Sequence, residues 1–268
     1  MSQAPSPMVI LMVEDNALQR REVEAQLVPL GHRIISAHNG HEAIERMRQD
    51  MPDIVIMDAV MPTMDGFKAC AMIKADLKTA SVPILVLTAL SRDAKDRSYA
   101  AGADDFIRKP ASTVLLQVRV QTHLRIRALS SKVGTLPEVR PKVLVVSASP
   151  LVRSQVQNHC GKESAHFSEA QGETQARARI LAERPDVLVL DTDLLEGNAQ
   201  VLAVAIHQND ELRDMPILLL YGPGELDLWS RLKEPVADAL EKPLIAQETR
   251  RRVSLLAHLA HLQKLSHA

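Results

Sequence analysis

Glu14-Asp15, Asp58, Thr88 and Lys109 each stand at or just beyond the end of a short apolar run, and together they offer three carboxylates, a hydroxyl and an ammonium. Carboxylates brought close together repel, which raises their pKa values unless a cation sits among them. Hard oxygen ligands with space left for water suit Mg²⁺, which also takes a substrate such as phosphate into its shell. Lys109 supplies a point charge for a phosphoryl oxygen, and Thr88 a hydroxyl donor. Singly these residues have plainer readings. Glu14-Asp15 fits the N-terminus of a first helix, Asp58 a turn, and Lys109 a solvated surface. Their joint order at strand ends favours a phosphoryl site.

The elements that must position these groups follow from periodicity. Val9–Val13, Arg33–Ala37, Ile54–Asp58, Ile84–Thr88 and Asp105–Arg108 are short, and several are continuously apolar, like strands buried on both faces. Between them lie candidate helices near Ala17–Leu30, His41–Gln49, Asp65–Ala75, Asp93–Ala101 and Ser112–Leu129. Strand then helix, five times over, predicts a parallel sheet covered on both faces. The right-handed crossover rule makes it doubly wound. Ligands of such sheets bind at the carboxyl ends of the strands, where the five chemical groups stand.

The same unit is written twice. Met51–Asp58 resembles Arg184–Asp191, Val82–Leu87 resembles Met215–Leu220, Lys109-Pro110 matches Lys242-Pro243, and Ile10–Val13 matches Val143–Val146, all at an offset of 133 in a chain of 268 residues. A repeat this long is a duplicated domain, not a solenoid unit. The expected organisation is a first domain over 1–129, a linker over 130–141 bracketed by Pro137 and Pro141, and a second domain over 142–268. The repeating part of the second copy ends near Ala257.

The set Glu14-Asp15, Asp58 followed by Met61-Pro62, Asp65-Gly66, Thr88 and Lys109-Pro110 resembles the receiver domain of two-component response regulators over about residues 8–129. The resemblance implies a flavodoxin-like fold in each half, α/β with two doubly wound five-stranded parallel sheets in tandem. It implies Asp58 as phosphoacceptor, with Mg²⁺ held by Asp15 and Asp58, by Glu14 through water, and by the backbone carbonyl of Val60. Lys109 would pair with the phosphoryl oxygens, its bond to Pro110 cis. Thr88 would move toward the phosphoryl group and Phe106 would follow as the aromatic switch, although Phe106 also reads as an ordinary sheet-edge aromatic. The implied partner is a histidine kinase or histidine phosphotransfer protein that presents a phosphohistidine to Asp58. Its specificity would lie on the first helix around Leu18, Gln19 and Glu22. A homodimer or a downstream protein target would read the switch, and the domain would catalyse only its own phosphorylation and dephosphorylation. Val60 and Leu90, two residues beyond the acceptor and the threonine, would restrict attacking water or else merely pack over the loop. Asp104 and Asp105 are read as solvent-facing.

At the offset of 133, Glu14 becomes Ser147, Asp15 becomes Ala148, Thr88 becomes Tyr221 and Phe106 becomes Ala239. Only Asp58 and Lys109 keep counterparts, Asp191 and Lys242, read as a vestigial ion pair. Asp193 and Glu196 nearby offer a makeshift cation site as the lesser alternative. The second domain therefore resembles a degenerate receiver acting as an adaptor. Receiver plus degenerate receiver resembles the input half of PleD-type diguanylate cyclases, but no Gly-Gly-acidic-acidic-Phe run occurs in the chain. The alternative expectation is thus the regulatory part of such a cyclase.

Composition narrows the partners. The first half carries 17 basic against 15 acidic residues and the second 15 against 18, so neither has the basic excess of a nucleic-acid binder. Aromatics are 2% of residues, too few for a base-stacking platform. Two cysteines make neither a disulfide framework nor a cysteine-rich zinc site. No apolar run approaches the ~18 residues of a membrane span, and Met1–Pro7 lacks signal-peptide features, so a cytoplasmic location is expected. Leu255, Leu259 and Leu262 mark a helical tail, read as the last helix of the second domain. His258 and His261 lack a third metal ligand beside them, and Arg250–Arg252 is read as a solvated face.

Overall fold

Each strand alternates its side chains between two faces, and in the central strands both sets are apolar, so the sheet needs helices above and below it. The computed structural model, described over residues 7–89, 97–133, 140–225 and 236–267, satisfies this twice. Leu90, Pro137 and the start of the expected helix Asp93–Ala101 lie outside the described residues.

The first unit has strands β1 (Val9–Val13), β2 (Arg33–Ala37), β3 (Ile54–Asp58), β4 (Ile84–Thr88) and β5 (Asp105–Arg108), and helices α1 (Ala17–Leu27), α2 (Gly40–Asp50), α3 (Gly66–Ala75) and α4 (Thr113–Ser130). All neighbouring strands are parallel, in the order β2-β1-β3-β4-β5. The second unit repeats this with β6 (Lys142–Val146), β7 (His166–Ala170), β8 (Val187–Asp191), β9 (Ile217–Tyr221) and β10 (Asp238–Glu241). Its helices are α5 (Pro150–Cys160), α6 (Glu173–Glu183), α7 (Ala199–Gln208) and α8 (Ala246–His267). Its order is β7-β6-β8-β9-β10. Every strand starts 133 residues after its counterpart. The chain divides into compact units at Met1–Arg127 and Ala128–Ala268.

In the first unit, Leu11, Val13, Val55, Met57, Ile84 and Val86 face one way and pack with Ala43 and Met47 of α2 and with Phe67, Cys70 and Ile73 of α3. Ile10, Met12, Ile54, Ile56, Leu85 and Leu87 face the other way, against Val23 and Leu27 of α1 and Leu116, Val120 and Leu124 of α4. Burying a side chain of this size contributes about 1.5–3 kcal/mol, and the period-two split recruits helices to both faces. Cys70 and Cys160 are free and buried.

Helix starts are set by short polar side chains. Asn16, rather than Glu14 or Asp15, caps α1 by accepting from the Leu18 and Gln19 amides at 3.0 and 3.1 Å. Asn39 caps α2, whose Glu42 reaches back to the His38 amide at 2.9 Å.

Two expectations are corrected. Asp105 is not solvent-facing; it is fully buried, within 3.5 Å of Arg119 and 3.3 Å of His123, tying β5 to α4. Asp104 is exposed, as expected, and its Oδ2 accepts from the Ile84 amide and meets Lys74 at 2.7 Å. Arg252 does not share a solvated face with Arg250 and Arg251; it is 2% exposed and pairs with Asp238 at 3.1 Å, 133 residues beyond the Arg119–Asp105 pair. A carboxylate on an edge strand reads as exposed until a helix is laid over it, and one sequence does not show which helix face that will be. The last helix runs to His267, as the leucine spacing of the tail implies.

Candidate functional site

The carboxyl edge of the first sheet gathers the groups that the strand order brings together. Glu14 and Asp15 follow β1, Asp58 ends β3, Thr88 ends β4, and Lys109 follows β5. Carboxylate oxygens of Glu14, Asp15 and Asp58 all lie within 4.8 Å of one another, and among the described residues this is the only such group of potential metal ligands. His258 and His261 belong to none.

The Lys109 ammonium reaches into this cluster from β5. Its Nζ lies 2.6 Å from Glu14 Oε2 and 2.9 Å from Asp58 Oδ1. It also donates to Gln19 Oε1 at 2.9 Å. Glu14 is 1% exposed, and its other oxygen accepts from the Asn16 amide at 3.1 Å. Asp58 is buried, whereas Asp15 is exposed and opens the site to solvent. Burial raises the Glu14 carboxyl above the usual carboxylate range, and the Asp58 charge adds to this; the Lys109 hydrogen bond opposes without overcoming it. Burial pushes Lys109 down, but its bonds to Glu14 and Asp58 outweigh that and hold its pKa above the ordinary lysine value. The ammonium therefore stays charged, and the cluster still has more negative than positive charge. A hard divalent cation matches that surplus and the all-oxygen donor set.

Two loop details shape the surroundings of Asp58. The Val60 carbonyl accepts no hydrogen bond among the described residues, and Val60 is 55% exposed. Gly66 lies so close that an added Cβ would stand 2.1 Å from the Asp58 carbonyl oxygen. Gly66 donates its amide to the Ala59 carbonyl at 3.1 Å, which folds the loop back under β3. Thr88 is buried, and its carbonyl accepts from the Lys109 amide at 2.8 Å. Phe106 is half-buried on the edge strand, and its ring meets Tyr99 edge-on at 5.8 Å. The Lys109–Pro110 and Lys242–Pro243 bonds are both cis.

The corresponding edge of the second unit is closed by its own side chains. Lys242 lies 2.8 Å from Asp191 and 2.6 Å from Asp193. Ser147 donates to the second Asp191 oxygen at 2.6 Å. The Asp193 carbonyl, counterpart of the free Val60 carbonyl, is taken by the Ala148 amide at 2.9 Å. Glu225 Oε2 accepts from the Gly222 amide at 2.6 Å and the Thr192 hydroxyl at 2.8 Å, joining the loops after β8 and β9. Glu196 turns away to the Thr174 amide at 2.7 Å, so it builds no cation site with Asp193. Tyr221 and Ala239 are buried. Glu225 and Gln19 carry no signal in the sequence alone, because the loops that bring them to these edges have no periodic pattern.

Residues 10–121 match the family model for the response regulator receiver domain. The first unit is a response regulator receiver domain. Its sheet order and its acidic edge with the lysine opposite are the framework that this match spans. Response regulator PleD of Caulobacter vibrioides is 26% identical over 264 residues, an alignment that covers 91% of this chain and 58% of that protein. The transcriptional regulatory protein AfsQ1 of Streptomyces coelicolor is 32% identical over 117 residues, 43% of this chain and 51% of that protein. The chain thus spans between half and three-fifths of the length of these relatives. A crystal structure of the signal receiver domain of a histidine kinase from Syntrophus aciditrophicus is 32% identical, with a TM-score of 0.44, covering 49% of this chain and 98% of that one. The second sheet repeats the strand order of the first, so the chain is two units of one fold in tandem, and among the described residues only the first carries the three-carboxylate edge. Among the described residues no helix is long and apolar enough to cross a membrane.

Proposed function

We propose that the chain is a two-component signalling protein that accepts a phosphoryl group on Asp58 from a phosphohistidine of a kinase or phosphotransfer protein. The observation that supports this most is the Lys109 ammonium bridging Glu14 and Asp58 beside an exposed Asp15. A free Asp58 carboxylate oxygen forms the new O–P bond as the histidine N–P bond breaks, and the imidazole leaves. Asp15, Asp58, Glu14 and the Val60 carbonyl would hold Mg²⁺, which neutralises charge on the transferred group. Lys109 takes a phosphoryl oxygen. Thr88 moves toward the new group and Phe106 follows, changing the face formed by β5, α4 and the preceding helical segment. The exposed face of α1 around Leu18 and Glu22 receives the donor.

The second unit serves as an adaptor, because its Asp191 is already satisfied by Lys242 and Ser147. Dimerisation or binding of a downstream protein is the output. Incubation with acetyl phosphate and Mg²⁺ followed by intact-mass measurement tests the acceptor. A gain of one phosphoryl group, lost in Asp58→Asn, is expected; no gain, or a gain that survives the substitution, refutes it. A second reading, favoured by the PleD alignment through both units, is that the chain is the regulatory part of a diguanylate cyclase. A coding sequence with no cyclase domain beyond Ala268 would remove it.

A further inference from the structure

We infer that Gln19 restrains phosphoryl transfer: its amide oxygen holds one N–H of the Lys109 ammonium and must yield it to the incoming phosphoryl oxygen. This rests on Asp58 being the acceptor. An ammonium has three N–H donors and no acceptor. Those of Lys109 meet Glu14 Oε2 at 2.6 Å, Asp58 Oδ1 at 2.9 Å and Gln19 Oε1 at 2.9 Å. All three donors are engaged, so a phosphoryl oxygen reaches Lys109 only by displacing an acceptor.

The three acceptors are unequal. Glu14 and Asp58 are carboxylates whose side chains are 1% and 10% exposed. Each would be left as a charge out of reach of bulk water, and an uncompensated buried charge is costly. Gln19 is neutral and sits on the exposed face of α1, held there by the Asn16 cap. Bonds between two ionised partners are also stronger than those with a neutral amide. Gln19 is therefore the acceptor that lets go, and its oxygen passes to water.

The second unit supplies an internal comparison. The residue 133 positions after Gln19 is Val152, which offers no side-chain acceptor. Among the described residues, Lys242 is held there by two carboxylates, Asp191 and Asp193. The unit that keeps the acidic pair also keeps an exchangeable neutral acceptor on its lysine. The unit that lost the pair has hydrocarbon in its place and a lysine held by two charges.

With acetyl phosphate as donor, an Asp58 oxygen bonds to phosphorus as the acetyl O–P bond breaks, and acetate leaves. As this happens, one Lys109 N–H turns from Gln19 to the phosphoryl oxygen. The rate then depends on how firmly residue 19 holds that proton. The test follows phosphorylation of the full chain by acetyl phosphate at saturating Mg²⁺, by intact mass over time, for the parent, Gln19→Leu, Gln19→Glu and Asp58→Asn. A small donor removes any effect of residue 19 on kinase docking, and circular dichroism checks folding at this exposed position. The expected order is Gln19→Leu fastest, the parent next and Gln19→Glu slowest, the last about tenfold below the parent because an ionised acceptor strengthens the competing bond. Equal rates across the series, or Gln19→Leu slower than the parent, overturn the role of Gln19 while leaving Asp58 as acceptor. A parent that takes up no phosphoryl group refutes the acceptor itself.

Discussion

Replacing Lys109 by Met keeps the aliphatic stem and removes the charge, leaving Glu14 and Asp58 facing each other without a cation. Removing one partner of a buried ion pair costs about 3–5 kcal/mol. The Lys109 side chain is 17% exposed and Asp15 admits water beside it, which favours the lower end, about 3 kcal/mol. Amide hydrogen exchange is the assay, because it separates the strands of the two units in one sample. At 1.36 kcal/mol per decade, amides of β1 and β3 that open with the first unit should exchange roughly a hundredfold faster. The matching Lys242→Met change should accelerate β6 and β8 only about tenfold, because Asp191 keeps the Ser147 hydroxyl and the Asp193 amide as donors. The pH dependence has a definite sign. Glu14 is already raised above 4.5, and losing Lys109 raises it further. A carboxyl raised in the folded state binds more protons there than in the unfolded chain, so stability falls as pH rises from 4.5 through the folded value. The Lys109→Met deficit should therefore shrink on acidification, and Mg²⁺ at neutral pH should recover part of it. Exchange unchanged from the parent, or a deficit indifferent to both pH and Mg²⁺, would refute the account of Lys109 as the counter-charge of this edge.

Two further outcomes follow from the geometry. Gly66→Ala sets a Cβ against the Asp58 backbone oxygen at 2.1 Å, where no flexible side chain can give way. Overpacking of this kind costs about 1–3 kcal/mol, so faster exchange in β3 and slower phosphorylation of Asp58 are expected; parent-like values of both would show that the loop yields freely. Restoring the acidic pair in the second unit with Ser147→Glu and Ala148→Asp, in an Asp15→Asn background, should give no Mg²⁺ binding by calorimetry. The Asp193 carbonyl and both carboxylates stay engaged by the residue 148 amide and Lys242. A Mg²⁺-binding heat would refute that closure.

Much of this protein was legible in its sequence because the signals are local or periodic. Strands buried on both faces are short apolar runs, and the central strands β1, β3, β4, β6, β8 and β9 follow from such runs and the offset of 133. The order of the polar residues at the ends of those runs, Glu14-Asp15, Asp58, Thr88 and Lys109, was readable for the same reason, as was the loss of the acidic pair from the second copy. Tertiary structure decided what depends on which face of one element covers another. Asp105 and Arg252 look solvated in the chain, yet each is buried where a long helix lies over an edge strand. Gln19 is one polar residue among several on α1 until the strand order carries Lys109 across the sheet to within 2.9 Å of it. Glu225 lies in an aperiodic loop and shows its role only when that loop folds onto Thr192. Spacing along the chain sets the frame and the residue types at the edge; contacts between residues about ninety positions apart set the charge balance there, because electrostatic energy depends on distance in space.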